Sequence, residues 1–211
     1  ALFGESLVAV RLVPALVEAA VVFFTVRLAR ALGAGNAGAA LAGVAALLAP
    51  GFFGFGHTYS MNPFDHLAWT VIALLAVRVA NVPEDRRLWL GLGAALGLGF
   101  LNKWSVAWLA PGLVVGLALT PARKALRTPW PYAAVAVAGA LAAPNLIWQQ
   151  LNGWPTLEFA RNALAGKYVE RSLPSFAWDL ARLVNPAAVP LALLGLAGSR
   201  VVAALALAAI G

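Results

Sequence analysis

The sequence predicts an all-α protein, a polytopic bundle of about seven transmembrane helices. Apolar residues make up 62% of the 211 residues and charged residues 11%, whereas soluble domains are about half apolar and about a quarter charged. Mean hydropathy is +0.84. The apolar residues gather into runs close to the ~20 residues that cross a bilayer as a helix. We therefore expect one transmembrane domain over residues 1–211, an internal piece of a longer protein.

Seven apolar segments define the predicted spans. The third has a proline at a position suited to a first helical turn, so it can begin at residue 63. The spans are residues 6–32, 37–55, 67–80, two short helices within 88–119 on either side of Asn102-Lys103-Trp104, 131–148 and 183–197. Between them lie a polar loop over residues 57–66 and the longest polar segment, residues 149–182.

The cations sit at the ends of the apolar runs, which argues against nucleic acid as a partner despite the net charge of +7. Two spans separate each cationic cluster from the next, so all clusters share one side, which is cytoplasmic by the positive-inside rule. The clusters are Arg27 and Arg30; Arg78, Arg86 and Arg87; Arg123, Lys124 and Arg127; and Arg200. The opposite side then carries loop 57–66, Lys103 and segment 149–182.

Two charged residues within the helical segments are candidates for function. Glu18 lies seven residues after Arg11, on the same helix face; it fits either a proton or ion relay or a carboxylic acid satisfied by a neighbouring helix. Lys103 lies at a non-cytoplasmic turn. Its ammonium either holds a phosphate as a point charge or snorkels to headgroups beside Trp104.

The polar loops offer no clear cofactor site. His57 and His66 are nine residues apart, with Asp65 beside them, so a polar loop facing a substrate cavity is favoured over a transition-metal site. The chain has no cysteine, which excludes disulfides and thiolate metal ligands. The sequence therefore predicts no cofactor. Residues 145–162 mix aromatic, amide and charged side chains, which suits an aromatic belt at the membrane interface or carbohydrate binding.

Four stretches carry a resemblance to a known family. They are Phe3-Gly4-Glu5-Ser6 with Val10-Arg11-Leu12-Val13-Pro14-Ala15-Leu16; Tyr59-Ser60-Met61-Asn62-Pro63-Phe64-Asp65 with Trp69; Gly97-Leu98-Gly99-Phe100-Leu101-Asn102-Lys103-Trp104-Ser105; and Pro144-Asn145-Leu146-Ile147-Trp148-Gln149 with Asn152-Gly153-Trp154-Pro155-Thr156-Leu157-Glu158-Phe159. In these the chain resembles the bacterial branch of glycosyltransferase family 39, the protein mannosyltransferase and aminoarabinose transferase superfamily with the GT-C fold.

The resemblance implies a multi-pass enzyme of the bacterial inner membrane. It would move a sugar from a polyprenyl-phosphate carrier to lipid A, another glycan, a lipid or a protein on the periplasmic side. The cations available for the donor phosphate are Lys103, Arg161, Lys167 and Arg171. The residues expected to bind substrate are His57, Tyr59, Asn62, Asp65, Asn145, Trp148, Gln149, Asn152, Trp154 and Glu158.

The resemblance leaves the catalytic residue unassigned. The family's catalytic acid lies in a first outer loop that precedes Ala1, so residues 1–211 alone are expected to be inactive. Asp65 is the remaining candidate for a base, although many relatives carry Asp where Asn62 aligns. Glu158 stands three residues before Arg161 and is expected to pair with it.

Two other functions compete with a glycosyltransferase. A secondary transporter or lipid flippase would show paired broken helices, but only the segment at Lys103 is interrupted in the sequence. A non-catalytic scaffold would have no need of the polar residues in 145–162.

Overall fold

A computed structural model describes residues 6–119, 121–166, 171–186 and 189. Every regular element in these residues is helical, which confirms the predicted all-α class. In chain order the elements are α1 (Leu7–Ala31), α2 (Asn36–Leu47), α3 (Pro50–Gly56), α4 (Met61–Asn81), α5 (Arg86–Asn102), a 3-10 helix (Trp104–Trp108), α6 (Leu109–Ala118), a second 3-10 helix (Pro121–Arg127), α7 (Trp130–Leu151), α8 (Pro155–Gly166) and α9 (Leu173–Val184).

Three of the described helices are long and apolar enough to cross a membrane: α1 over Val10–Ala31, α4 and α7. The pair α2 and α3 makes a fourth candidate. Helix α5 and the apolar segment Trp104–Ala118 are shorter and occupy the positions of the two short spans predicted within 88–119. The last predicted span, residues 183–197, lies almost entirely outside the described residues.

The second predicted span is not a continuous helix. Helices α2 and α3 meet at an angle of 60°, because Pro50 has no backbone N–H to continue the first helix and forces the residue before it out of helical geometry. Ala49 accordingly adopts an extended conformation, and Pro50 becomes the first residue of α3.

The predicted polar loop over residues 57–66 is shorter than expected. Helix α4 begins at Met61 because Ser60 caps it: its hydroxyl accepts a hydrogen bond from Asn62 N at 3.2 Å. Only residues 57–60 lie outside α3 and α4, so Asp65 and His66 stand on the first two turns of a helix. Their side chains therefore leave the helix in different directions.

Segment 149–182 is not a loop in its described parts. Helix α7 continues to Leu151, and α8 and α9 follow. In α9 the apolar residues recur every three or four positions, at Leu173, Phe176, Leu180 and Leu183. This spacing gives one apolar face, which is typical of a helix lying in the membrane interface.

The tightest helix packing joins α5 to α7. A Cβ atom on Gly93 would lie 2.8 Å from Ala134 Cα, and one on Gly97 would lie 2.7 Å from Leu141 Cβ. The two backbones can approach this closely only because both positions lack a side chain. On its other side α5 packs on α4, and buried Ile72, Trp89 and Leu92 belong to the core there.

Candidate functional site

Lys103 is held at one end of the bundle by two side chains of α4. Its Nζ donates to Asn62 Oδ1 at 3.1 Å and lies 3.2 Å from Asp65 Oδ2. The other oxygen of Asp65 accepts a hydrogen bond of 2.6 Å from Ser105 Oγ. The Lys103 side chain is 34% exposed and that of Asp65 13%. The cation therefore stands at the rim of the bundle on a largely buried carboxylate.

The local chain geometry explains why Lys103 reaches this position. Helix α5 ends at Asn102, and Lys103 adopts an extended conformation before the 3-10 helix starts. The amide of Asn102 donates to the Met61 carbonyl at 2.9 Å, which fixes the end of α5 against the start of α4. A lysine has three N–H donors, and Asn62 and Asp65 use two of them. Among the described residues the third donor has no partner, so it can serve a group from outside the chain.

Both oxygens of Asp65 are engaged by neighbouring side chains. One oxygen contacts Lys103, and the other accepts from Ser105. The Asp65 carboxylate is therefore placed to orient the Lys103 ammonium. That Asp65 also acts as a base stays a prediction.

An aromatic surface adjoins Lys103. The Trp104 ring stacks on Phe100 with 5.3 Å between centroids and meets the Trp154 ring edge to face at 6.3 Å. Trp104 Nε1 donates to Asn145 Oδ1 at 3.2 Å. The first 3-10 helix thus forms one surface with α7 and with the turn that follows α7, about 40 residues further along the chain. We call Trp104, Trp154 and Asn145 the aromatic surface.

Gln149 builds the turn that presents Trp154. It is 4% exposed, its Nε2 donates to Thr156 Oγ1 at 2.6 Å, and its Oε1 accepts from Thr156 N at 3.1 Å. Its carbonyl accepts from Trp154 N at 2.8 Å. Gly153 and Trp154 both take positive φ angles, 74° and 61°. The Gln149 side chain therefore holds the junction of α7 and α8, which positions Trp154.

Four other residues predicted to bind substrate are either exposed to solvent or hydrogen-bonded to a backbone carbonyl. Trp148 and Tyr59 are more than half exposed. Asn152 Nδ2 donates to the Trp148 carbonyl at 2.8 Å, and His57 Nδ1 lies 2.6 Å from the Phe53 carbonyl. Among the described residues, the hydrogen bond and the ion pair of Lys103 are with Asn62 and Asp65 and not with these four side chains.

The remaining predicted cations do not gather around Lys103 in the described part of the chain. Arg161 is exposed on α8, and the expected ion pair between Glu158 and Arg161 is absent from this exposed helix, where water competes with such pairs. Arg171 instead pairs with Asp179 of α9. Lys167 lies outside the described residues.

A second polar cluster joins α1 to α4. Glu18, a buried residue, accepts from His66 Nδ1 at 3.1 Å. The edge of the Phe52 ring packs on His66 with 4.2 Å between centroids. Glu18, Arg11 and His57 line a cavity of about 450 Å³. Arg11 and Glu18 thus share a face as predicted, but Glu18 is hydrogen-bonded to His66, which was expected to lie in a loop with His57.

We expect removal of the Glu18 carboxylate to destabilise the bundle. In Glu18→Ala the partly buried ring nitrogen of His66 loses its hydrogen-bond partner, which costs about 0.5–1.5 kcal/mol of unfolding free energy. Glu18→Gln keeps a hydrogen-bonding group, so its unfolding free energy should fall less than that of Glu18→Ala. Arg11→Ala, an exposed position on the same cavity, serves as the control. Unfolding in mixed detergent micelles measures the difference, and equal losses in the alanine variants at Glu18 and Arg11 would contradict the role of the pair.

In the described residues no three side chains of His, Asp or Glu converge. His57 and His66 contact different partners, the Phe53 carbonyl and Glu18.

Three residues were not identified from the sequence as partners of the predicted site residues. They are Ser105 and Trp104 in the site around Lys103, and His66 in the cluster with Glu18. Ser105 and Trp104 follow Lys103 directly, so the interruption of the apolar run was the available signal. Their contacts with Asp65 and Asn145 join positions about 40 residues apart, which spacing along the chain does not reveal.

Comparisons with known proteins place this chain in a family. The family model described as dolichyl-phosphate-mannose-protein mannosyltransferase matches residues 1–148. A lipid A galacturonosyltransferase of Rhizobium johnstonii is 41% identical over 83 residues, which amount to 39% of this chain and 17% of that protein. No solved structure gave a significant match. Since the family model covers more than half of a chain built from apolar helices, this protein belongs to the dolichyl-phosphate-mannose-protein mannosyltransferase family, a family of membrane glycosyltransferases of the GT-C type.

Proposed function

We propose that the chain is part of an enzyme that transfers a sugar from a polyprenyl-phosphate carrier to an acceptor at the outer face of the cell membrane. The observation that carries this proposal is the position of Lys103. Its ammonium is held by Asn62 and Asp65 and is one-third exposed, and in the contacts of the described residues it keeps one N–H donor for a phosphate oxygen. A fixed cation near a departing phosphate stabilises the charge that develops as the glycosidic bond breaks.

The aromatic surface supports a sugar next to that phosphate. Indole rings offer apolar faces to the C–H groups of a sugar, and Trp104 and Trp154 present two such rings edge to face. Asn145 accepts from Trp104 through its oxygen, so in the described contacts its amide nitrogen remains to donate to a sugar hydroxyl.

The choice of donor tests the proposal. The full-length protein in liposomes is offered a polyprenyl-phosphate sugar or the corresponding nucleotide sugar, each with a mixture of lipid and protein acceptors. We expect transfer from the lipid-linked sugar alone. Transfer from the nucleotide sugar would contradict the proposed donor, and movement of the carrier across the bilayer without any product would favour a flippase.

A more specific acceptor is suggested by the relative named as a lipid A galacturonosyltransferase. We propose lipid A as the first acceptor to test and a hexuronic acid as the first sugar. Radiolabelled product should run with lipid A. Label recovered only in protein would contradict this choice of acceptor while leaving the proposed donor standing.

The proposed orientation predicts which residues are accessible from outside. Single cysteines at exposed Glu84 and exposed Asn152 are placed in a full-length protein that has no other cysteine. In intact cells an impermeant thiol reagent should label the cysteine at 152, and it should label the one at 84 only after permeabilisation, since the arginine-rich ends are cytoplasmic. The reverse labelling would contradict the proposed outer face.

A further inference from the structure

A cavity lined by three arginines lies at the end of α1 and α4, away from Lys103. Its volume is about 550 Å³, and its lining includes Arg27, Arg30, Arg78, Asn81, Val82 and Leu88. We call it the arginine cavity. Arg78 follows Asp65 by 13 positions on α4, which corresponds to about 20 Å along the helix axis. The arginine cavity is therefore separate from the site around Lys103.

Helix packing brings the three guanidinium groups together. Helices α1 and α4 pack against each other along the bundle, and the amide of Asn81 donates to the Ala31 carbonyl at 2.9 Å, which ties their last turns together. Arg27 and Arg30 are three residues apart and so lie on one face of α1. Arg78 occupies the last turn of α4.

Carboxylates do not neutralise these arginines in the described part of the chain. No acidic residue lines the arginine cavity, and the ion pairs of the described residues involve Glu18, Asp65 and Asp179. Asp85, in the turn after α4, caps α5 by accepting from Arg87 N. A contact of Arg27 with the Phe23 ring, at 5.8 Å, adds no negative charge. Three positive charges thus line one cavity with no carboxylate beside them among the described residues, which makes the cavity suited to an anion from outside the chain.

We infer that the arginine cavity binds the phosphate of an anionic lipid headgroup. Guanidinium groups bind phosphate through two parallel hydrogen bonds, and basic pockets between transmembrane helices on the cytoplasmic side are suited to anionic headgroups. Both helices are long and apolar enough to span the membrane, so their ends lie at headgroup depth. Val82 and Leu88 give the lining apolar surface for the glycerol and upper acyl carbons. The inference rests on membrane insertion and not on the proposed sugar transfer.

The test measures lipid binding to the full-length protein. Phosphatidylglycerol, phosphatidylcholine and glycerol phosphate are titrated onto delipidated protein, and bound molecules are counted by native mass spectrometry. The variant combines Arg27→Gln, Arg30→Gln and Arg78→Gln. Its control combines Arg86→Gln, Arg87→Gln and Arg123→Gln, three exposed arginines that the sequence places on the same side. Both variants lose the same formal charge.

The expected result is selective loss of one phosphatidylglycerol. The cavity variant alone loses charge-assisted hydrogen bonds to the phosphate, so it should bind at least about tenfold more weakly. The control variant should stay near the parent, because its three arginines do not line the arginine cavity. Glycerol phosphate that binds as tightly as phosphatidylglycerol would assign the phosphate to a soluble compound and overturn the lipid headgroup. Equal weakening in the two variants, or equal affinity for phosphatidylcholine, would overturn the site itself. Sugar transfer is not measured, so failure of either proposal leaves the other intact.

Discussion

Replacing Lys103 by alanine in the full-length enzyme is expected to lower turnover or donor affinity about tenfold or more. The loss follows from the remaining N–H donor of Lys103, since a hydrogen bond to a charged group is worth roughly 1.5–3 kcal/mol. The substitution also leaves Asp65, only 13% exposed, without its cation. Steady-state kinetics with a polyprenyl-phosphate sugar measure the effect. The unfolding midpoint, recorded in parallel, separates lost function from lost structure.

Matched variants make the Lys103 result specific. Lys124→Ala removes the same side chain from an exposed position in the second 3-10 helix, and activity should not change. Asp65→Asn keeps the shape and the Ser105 contact but removes the charge that orients Lys103, so a smaller loss than in Lys103→Ala is expected. Parent-like kinetics for Lys103→Ala, at an unchanged unfolding midpoint, would reduce Lys103 to an anchor at the membrane surface.

Alanine at Gly93 is expected to disrupt the packing of α5 on α7. The added methyl group would lie within 3 Å of the Ala134 backbone, which cannot move aside as the end of a side chain can. Overpacking of this kind typically costs 1–3 kcal/mol, and here it acts on the closest approach between two helices. The free energy of unfolding in mixed micelles measures the loss. Activity should fall with it, because Lys103 directly follows the end of α5 and Asn145 lies on α7.

Gly139→Ala is the control for this prediction. Gly139 lies on α7, within the same helix that Gly93 contacts, but a Cβ atom there would meet nothing within 4 Å. Its replacement should change stability little, because a small methyl group would face open space. If the alanine variants at Gly93 and Gly139 unfolded at the same denaturant concentration, the close packing of α5 on α7 would be refuted.

The length of apolar runs predicted most helices well, because a run reports how much of the chain avoids water. The first span was predicted over residues 6–32, and α1 covers Leu7–Ala31. The interruption at Lys103 likewise predicted the end of α5. Hydropathy does not report backbone geometry, so the bend before Pro50 was missed. It also does not separate a polar loop from an amphipathic helix, so α8 and α9 were missed.

The sequence could name residues of the candidate site, but it could not show which of them contact one another. Lys103, Asn62 and Asp65 were all named from their residue types and from the family resemblance. That Asn62 and Asp65 both contact Lys103 depends on which helices pack together, across about 40 intervening residues. Gln149 looks like a ligand for a sugar in the sequence, yet its buried amide is used within the α7–α8 junction. Residue type alone cannot distinguish these two uses of an amide.

The backbone of the turn before α8 is strained at Trp154. Trp154 has a φ angle of 61°, in the region where an L-residue other than glycine pays about 1–2 kcal/mol. Glycine would relax this backbone, but it would remove the indole that faces Trp104. Backbone strain at the α7–α8 junction thus lowers local stability but places the Trp154 indole beside Trp104. Strained residues of this kind cluster at functional sites. This turn is therefore a poor choice for substitutions that aim to raise the stability of the protein.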